Sequence, residues 1–189
     1  MASRRNHPCK LSQRGIGLLQ IALCLIVAAS IVAGVMMKYS RMQEDQDVDT
    51  VNRQVMAIHD EIARLYANRP NFDGVTPEYV AVNGNLPESM IRSSAGTTEL
   101  VSPFGKYEIS PISIDCGLCQ NTFYVNVRSI PRSMCARIAR TAVASTANRI
   151  RLWNHGHGTF FEERPTMSQT DSVCQDPDWK PNVRFDFIR

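Results

Sequence analysis

Hydrophobic and polar positions fall into three regimes along this chain. The first is unbroken: Ile16–Met37, IGLLQIALCLIVAASIVAGVMM, holds no charged residue. Wound as a helix, a segment of this length spans roughly 33 Å, enough for a bilayer core of about 30 Å. In the second regime, after Lys38, polar residues enter, yet Val48, Val51, Val55, Ile58, Ile62 and Leu65 recur at spacings of three and four. Such spacing lines one face of an amphipathic helix. Asn68-Arg69-Pro70 ends it, because the residue before a proline disfavours the helical region. One helix from about Ile16 to Ala67, on the order of 75 Å long, is therefore predicted. The apolar stripe covers under three heptads and lacks an orderly charge seam, so a helix laid on a sheet explains it better than a coiled coil.

The third regime is shorter in period. Residues 68–98 carry Pro70, Gly74, Pro77, Gly84, Pro87 and Gly96 and read as a long connection with a helical turn at Pro87–Arg92. Alternation follows at Tyr107, Ile109, Ile112 and Ile114, with Pro111 marking an edge or bulge. Phe123, Val125 and Val127 alternate again after Cys116-Gly117-Leu118-Cys119, which predicts a hairpin. Pro131 suits a first helical turn, and SMCARIARTAVASTAN then puts Met134, Cys135, Ile138, Ala139 and Ala142 on one face. Arg149–Trp153 and Thr159–Glu162 flank Asn154-His155-Gly156-His157-Gly158 as a second hairpin. A polar loop over 164–181 leads to a last strand, Asn182–Ile188. The order is that of an α+β fold with a long N-terminal helix, and no internal repeat is present.

Charge changes the picture more than composition does. The chain has 189 residues, 43% apolar and 21% charged, enough for one ordinary core, and a formal net charge of +3. Residues 1–15 hold Arg4, Arg5, Lys10 and Arg14 and no acid, so residues 16–189 sum to −1. The basic excess is a topology signal: it keeps the N-terminus cytoplasmic and sends the rest across the membrane. No nucleic-acid partner is expected. Ala28-Ala29-Ser30 and Ile31-Val32-Ala33 loosely match a secretory cleavage site, but the apolar run continues past them, as in a signal anchor.

Candidate chemistry is sparse. No phosphate-binding glycine loop, nucleophile elbow or metalloprotease helix is present. Cys116 and Cys119 have the spacing of a redox pair, yet they sit between strands rather than at a helix start, where a thiol is activated. With His155 and His157 they supply the atom types of a zinc site, although His-Gly-His also suits a plain turn and exported cysteines tend to oxidise. Arg149 and Arg151 share a strand face, most simply a solvated one. His59, beside Asp60 and Glu61, reads as a surface histidine, and Asp45–Asp49 as a solvated helix face. Cys24 is an apolar filler, and Cys116, Cys119, Cys135 and Cys174 allow three pairings among which spacing alone does not choose. The chain reads as a non-enzyme, with no catalytic residue, cofactor or metal.

The junction Gln13-Arg14-Gly15 before Ile16-Gly17-Leu18-Leu19-Gln20 resembles the leader of type IV prepilins. The stretch FYVNVRSIPRSMCARIARTAVASTANRIRLWNHG and the order of elements around it look like type IVb pilins of the plasmid and enteric PilS type. The resemblance covers essentially the whole chain. It implies a leader, 1–15, cut between Gly15 and Ile16 by a prepilin peptidase, leaving Ile16 as an N-methylated terminus. It implies a membrane and later filament-core segment, 16–37, an amphipathic continuation, 38–67, and a globular α+β head, 68–189, whose sheet packs on the helix. It pairs Cys135 with Cys174, and Cys116 with Cys119 would then bridge the hairpin turn. The implied partners are other copies in a filament, the peptidase, an assembly platform and the inner membrane before export to the surface of a Gram-negative cell. Gln20 stands where the family usually has a glutamate facing the terminal amine of a neighbour. The amide can hydrogen-bond that amine but not neutralise it, which fits either a tolerated variant or a minor subunit or pseudopilin.

Overall fold

The computed structural model describes residues 14–94, 96–112, 121–141, 143–154, 157–175 and 180–188, and of residues 14–16, 18, 154 and 157 the backbone only. The chain divides into two compact units, Met1–Gln43 and Glu44–Arg189. Helix α1, Arg14–Leu65, contributes to both. It begins two residues before the expected start and ends two residues before the expected finish.

In the first unit the described side chains of the helix are mostly apolar and all exposed. Leu19, Ile26, Ile31, Val35, Met37 and Met42 are all exposed. By length and composition this helix could cross a membrane. Its hydroxyls are satisfied internally, Ser30 donating to the Ile26 carbonyl at 2.8 Å and Ser40 to the Met37 carbonyl at 3.1 Å. That back-bonding lets a serine sit in an apolar helix without an orphan donor.

In the second unit the same helix buries the predicted stripe. Val48, Val51, Val55, Ile58 and Ile62 are buried, and the stripe ends on Tyr66 rather than Leu65, which is only partly covered. One more step of four from Ile62 reaches Tyr66, whose ring meets Phe72 and Tyr79. These aromatic contacts fold the following loop back over the end of the helix.

The stripe packs on a seven-stranded antiparallel sheet of order β1-β2-β3-β4-β7-β5-β6. Its strands are β1 Ile91–Ser94, β2 Thr97–Ser102, β3 Gly105–Pro111, β4 Thr122–Val127, β5 Arg149–Asn154, β6 His157–Phe161 and β7 Asn182–Ile188. Both predicted hairpins form: Tyr107 pairs with Val127, and Trp153 with Gly158. Alternation puts Tyr107, Ile109, Phe123, Val125, Ile150, Leu152, Val183, Phe185 and Phe187 in the core with the helix stripe. The C-terminal strand β7 lies between β4 and β5, pairing with both.

Three expectations need correction. The connection 68–98 is not mainly loop: it holds α2, Pro77–Asn83, a 3-10 turn, Glu88–Met90, and the β1–β2 hairpin, whose Gly96 takes φ 82°. Thr76 caps α2 by accepting the Tyr79 N–H at 3.1 Å. The helix after Pro131 is broken into α3, Arg132–Ile138, and α4, Val143–Thr146, because Thr141 back-bonds the Ile138 carbonyl and Asn52 of α1 accepts the Val143 N–H at 3.0 Å. The polar loop 164–181 contains α5, Met167–Cys174, opened by a capping box of Thr166 and Gln169.

Candidate functional site

The sequence singles out four groups of residues, and the structure treats them differently. Gly15 and Ile16 lie in the first turn of α1, so the peptide bond between them is helical. Gln20 is an exposed helix residue one turn further on. Cys116, Cys119 and His155 lie outside the described residues, as does the side chain of His157. Among the described residues no cluster of three histidine, cysteine or carboxylate side chains could hold a metal ion.

Cys135 and Cys174 are joined, with Cα atoms 5.7 Å apart across a sequence separation of 39. The bond ties the buried face of α3 to the last residue of α5 and so closes the C-terminal region over the sheet. Both cysteines are buried.

Polar latches hold the surrounding elements to α1. Glu61, largely shielded from solvent, accepts from Arg64 Nε at 2.9 Å and from the Asn85 N–H at 2.9 Å. Chiefly the Arg64 hydrogen bond, opposed by burial and helped by the Asn85 N–H, holds the Glu61 carboxyl below its usual value. Gly84 makes this approach possible: a Cβ there would stand 2.9 Å from Glu61 Cγ and 2.4 Å from the Val80 carbonyl oxygen. Tyr107, buried and pushed far above the tyrosine range by desolvation, donates to Gln54 Oε1 at 2.8 Å. The run from Asp45 is more than a solvated face, since Asp45 pairs with Arg137 of α3 and the neighbouring Glu44 accepts from Ser133 at 3.0 Å. Nor is His59 a plain surface residue, for its ring packs on Phe187 at 4.6 Å between centroids.

The sheet face away from α1 is polar, aromatic and cationic. Arg184 on β7 lies over the Tyr124 ring at 3.9 Å and donates to Asp186 at 2.6 Å. Arg149 faces Glu162 at 3.7 Å. Arg151 lies 4.8 Å from the Trp153 ring centre and 4.5 Å from that of Phe160, both rings exposed. The two arginines read as one solvated strand face share the Phe160 ring, which Arg149 approaches at 5.6 Å, but differ otherwise: Arg149 has the Glu162 carboxylate, whereas Arg151 has Trp153 and, among the described residues, no carboxylate.

Sequence reading missed the α2 surface, where Glu78 and Val82 are exposed. The signal was there: Thr76-Pro77-Glu78 is an N-cap, a first-turn proline and an early acid. Thr166-x-x-Gln169 marked α5 in the same way. These arrangements can pack, pair and staple; none of them joins a nucleophile to a base.

Comparison with known proteins agrees with the geometry. A family model described as Bundlin matches residues 42–184. The "Major structural subunit of bundle-forming pilus" of Escherichia coli O127:H6 (strain E2348/69 / EPEC) is 19% identical over 139 residues, covering 73% of this chain and 69% of its own length. The protein of the same name from Escherichia coli O111:H- matches to the same extent. Among solved structures, a type IV b pilin from Salmonella typhi aligns with a TM-score of 0.56 and 14% identity, over 74% of this chain and 97% of its own.

Proposed function

Because the chain belongs to the bundlin family of type IVb pilins, structural subunits rather than enzymes, we propose that it is a filament subunit processed at Gly15 and assembled outside the cell. One observation carries this reading. The helix that supplies the core of the second unit is, over residues 19–37, exposed, free of charge and almost wholly apolar. Apolar surface of that extent demands cover, at about 25 cal/mol per Å² buried. A bilayer supplies it before assembly, and the helices of neighbouring copies supply it afterwards.

In this scheme the basic leader, 1–15, holds the N-terminus in the cytoplasm and is removed by the prepilin peptidase. Ile16 becomes the methylated terminus of a single-pass inner-membrane protein. Segment 16–37 then passes into the filament core through an assembly platform, segment 38–67 carries the head, and residues 68–189 form the outer wall. Since Gly15 and Ile16 are helical, the peptidase must unwind one turn to reach the bond, which a glycine makes cheap. Adhesion, aggregation or conjugative contact would be the filament's work at a Gram-negative surface.

The test is to co-express the chain with a prepilin peptidase and sequence the mature N-terminus. The expected first residue is Ile16, and any other start overturns the processing reading. Gln20 supports a second reading, a minor subunit or pseudopilin. Gold-labelled antibody spread along the fibre favours the major subunit, and label confined to its tip favours the minor one.

A further inference from the structure

We propose that Arg151, framed by Trp153 and Phe160, is the receptor for Glu78 on α2 of the neighbouring copy, and that this ion pair sets the register between heads. The inference rests on the filament reading and names the contact within it.

Arg151 is poised for an anion. Across the β5–β7 ladder it stands directly opposite Arg184. Like charges directly opposite on one sheet face are unfavourable. Arg184 is compensated by Asp186, but among the described residues no acid pairs with Arg151. Its Nε is shielded from solvent without a hydrogen-bond partner. The guanidinium also lies over Gly158, where a Cβ would stand 2.8 Å from Nε, so the edge strand leaves room for it. Two rings and a bare backbone fix the guanidinium plane and leave its terminal N–H groups for a forked bond to a carboxylate.

Charge distribution and exposure narrow the choice of carboxylate partner. Residues 44–90 hold nine acids and three bases, whereas residues 91–189 hold twelve bases and nine acids. Within the second unit, residues 44–90 thus carry an acidic excess and residues 91–189 a basic one, opposite charges that attract between copies. Most acids of the first region are engaged within the chain, including Glu44, Asp45, Asp49, Asp60 and Glu61. Like Glu88, Glu78 is exposed and, among the described residues, has no ion-pair partner. It also lies four residues before Val82, which is 68% exposed, so carboxylate and bare apolar side chain share one face of α2. Arg151 beside Trp153, 40% exposed, and Phe160, 48% exposed, is the complement: a cation with an apolar rim. Two different patches that fit each other make a heterologous contact, and a heterologous contact that does not close on itself builds an open helical assembly. The patch is small beside a standard interface of about 800 Å² per partner, so it serves register while the apolar helices supply cohesion.

The full chain is expressed with its peptidase and assembly platform, and sheared filaments are counted by electron microscopy and immunoblot. Arg151→Glu and Glu78→Arg should each cut filament yield at least about tenfold, since like charges then meet, and the double variant should recover most of it. Wild-type yield from either single variant, or a double variant no better than the singles, overturns the pairing. Wild-type chain that is processed at Ile16 yet forms no filament defeats the filament reading instead. Should Arg151→Glu fail to fold, judged by protease resistance, a photo-crosslinking residue decides. Trp153→p-benzoylphenylalanine in filaments should give a dimer whose linked peptide contains Glu78–Val82. A link elsewhere, to a non-protein partner, or none at all, overturns the proposal.

Discussion

Glu61 shows how one side chain joins sequence position to stability. It sits on the flank of the helix stripe, and its two acceptor contacts draw the end of α2 against α1. Its carboxyl titrates below the ordinary value of 4.5 in the folded chain, so its contribution is complete above the unfolded value and is lost as pH falls through the folded one. Glu61→Gln keeps the shape and the Asn85 contact but removes the charge. The variant should have a lower urea midpoint than wild type at pH 7, and the gap should narrow as pH is lowered from 4.5 towards 3. A gap of equal size at both ends of that range would show that the charge contributes nothing. The same residue explains Gly84, because a larger side chain would push the loop off this carboxylate.

Among elements, α3 and α5 depend most on a cross-link. Both are short, at seven and eight residues, and helices of that length are not stable by propensity alone. The Cys135–Cys174 bond restricts the unfolded chain over a separation of 39, worth about 3–4 kcal/mol in the loop-entropy treatment. Replacing both cysteines by serine should lower the unfolding free energy by roughly that amount, read from urea melts of the oxidised proteins. The loss should be felt first around α5, which would exchange its amide hydrogens faster than β4 and β7, the strands paired on both sides. Uniform exchange across α5 and the central strands would contradict a local role for the bond.

For the whole molecule, the notable property is the contrast between a closed core and an open apolar helix. Gln20 lies in that helix, at the depth where the proposed filament would bring subunit termini together. A carboxylate facing an ammonium in a low-dielectric core offsets part of the cost of burying both, and an amide does so less well. Gln20→Glu should therefore assemble as well as wild type or better if this is a major subunit, as measured by filament mass per cell. A marked fall in yield would mean that the amide suits a special position in the fibre.

Much of this was legible in the chain itself, for a local reason. Charge-free length, the spacing of Val48 to Ile62 and the alternation of Tyr107 to Val127 each report on residues near one another, so the long helix, its buried face and both hairpins could be read directly. The short helices were legible too, in Thr76-Pro77-Glu78 and in Thr166-x-x-Gln169, although their surroundings read as loop. Tertiary structure alone decided the rest. That β7 lies between β4 and β5 depends on pairings across the whole domain, which no local period encodes. That the helix after Pro131 breaks is decided by Asn52 on α1, 91 residues from the amide it binds. And that Arg149 and Arg151, alike in sequence and both beside the Phe160 ring, differ in charge pairing follows from what else the fold sets beside them: the Glu162 carboxylate for one, Trp153 and a second arginine for the other.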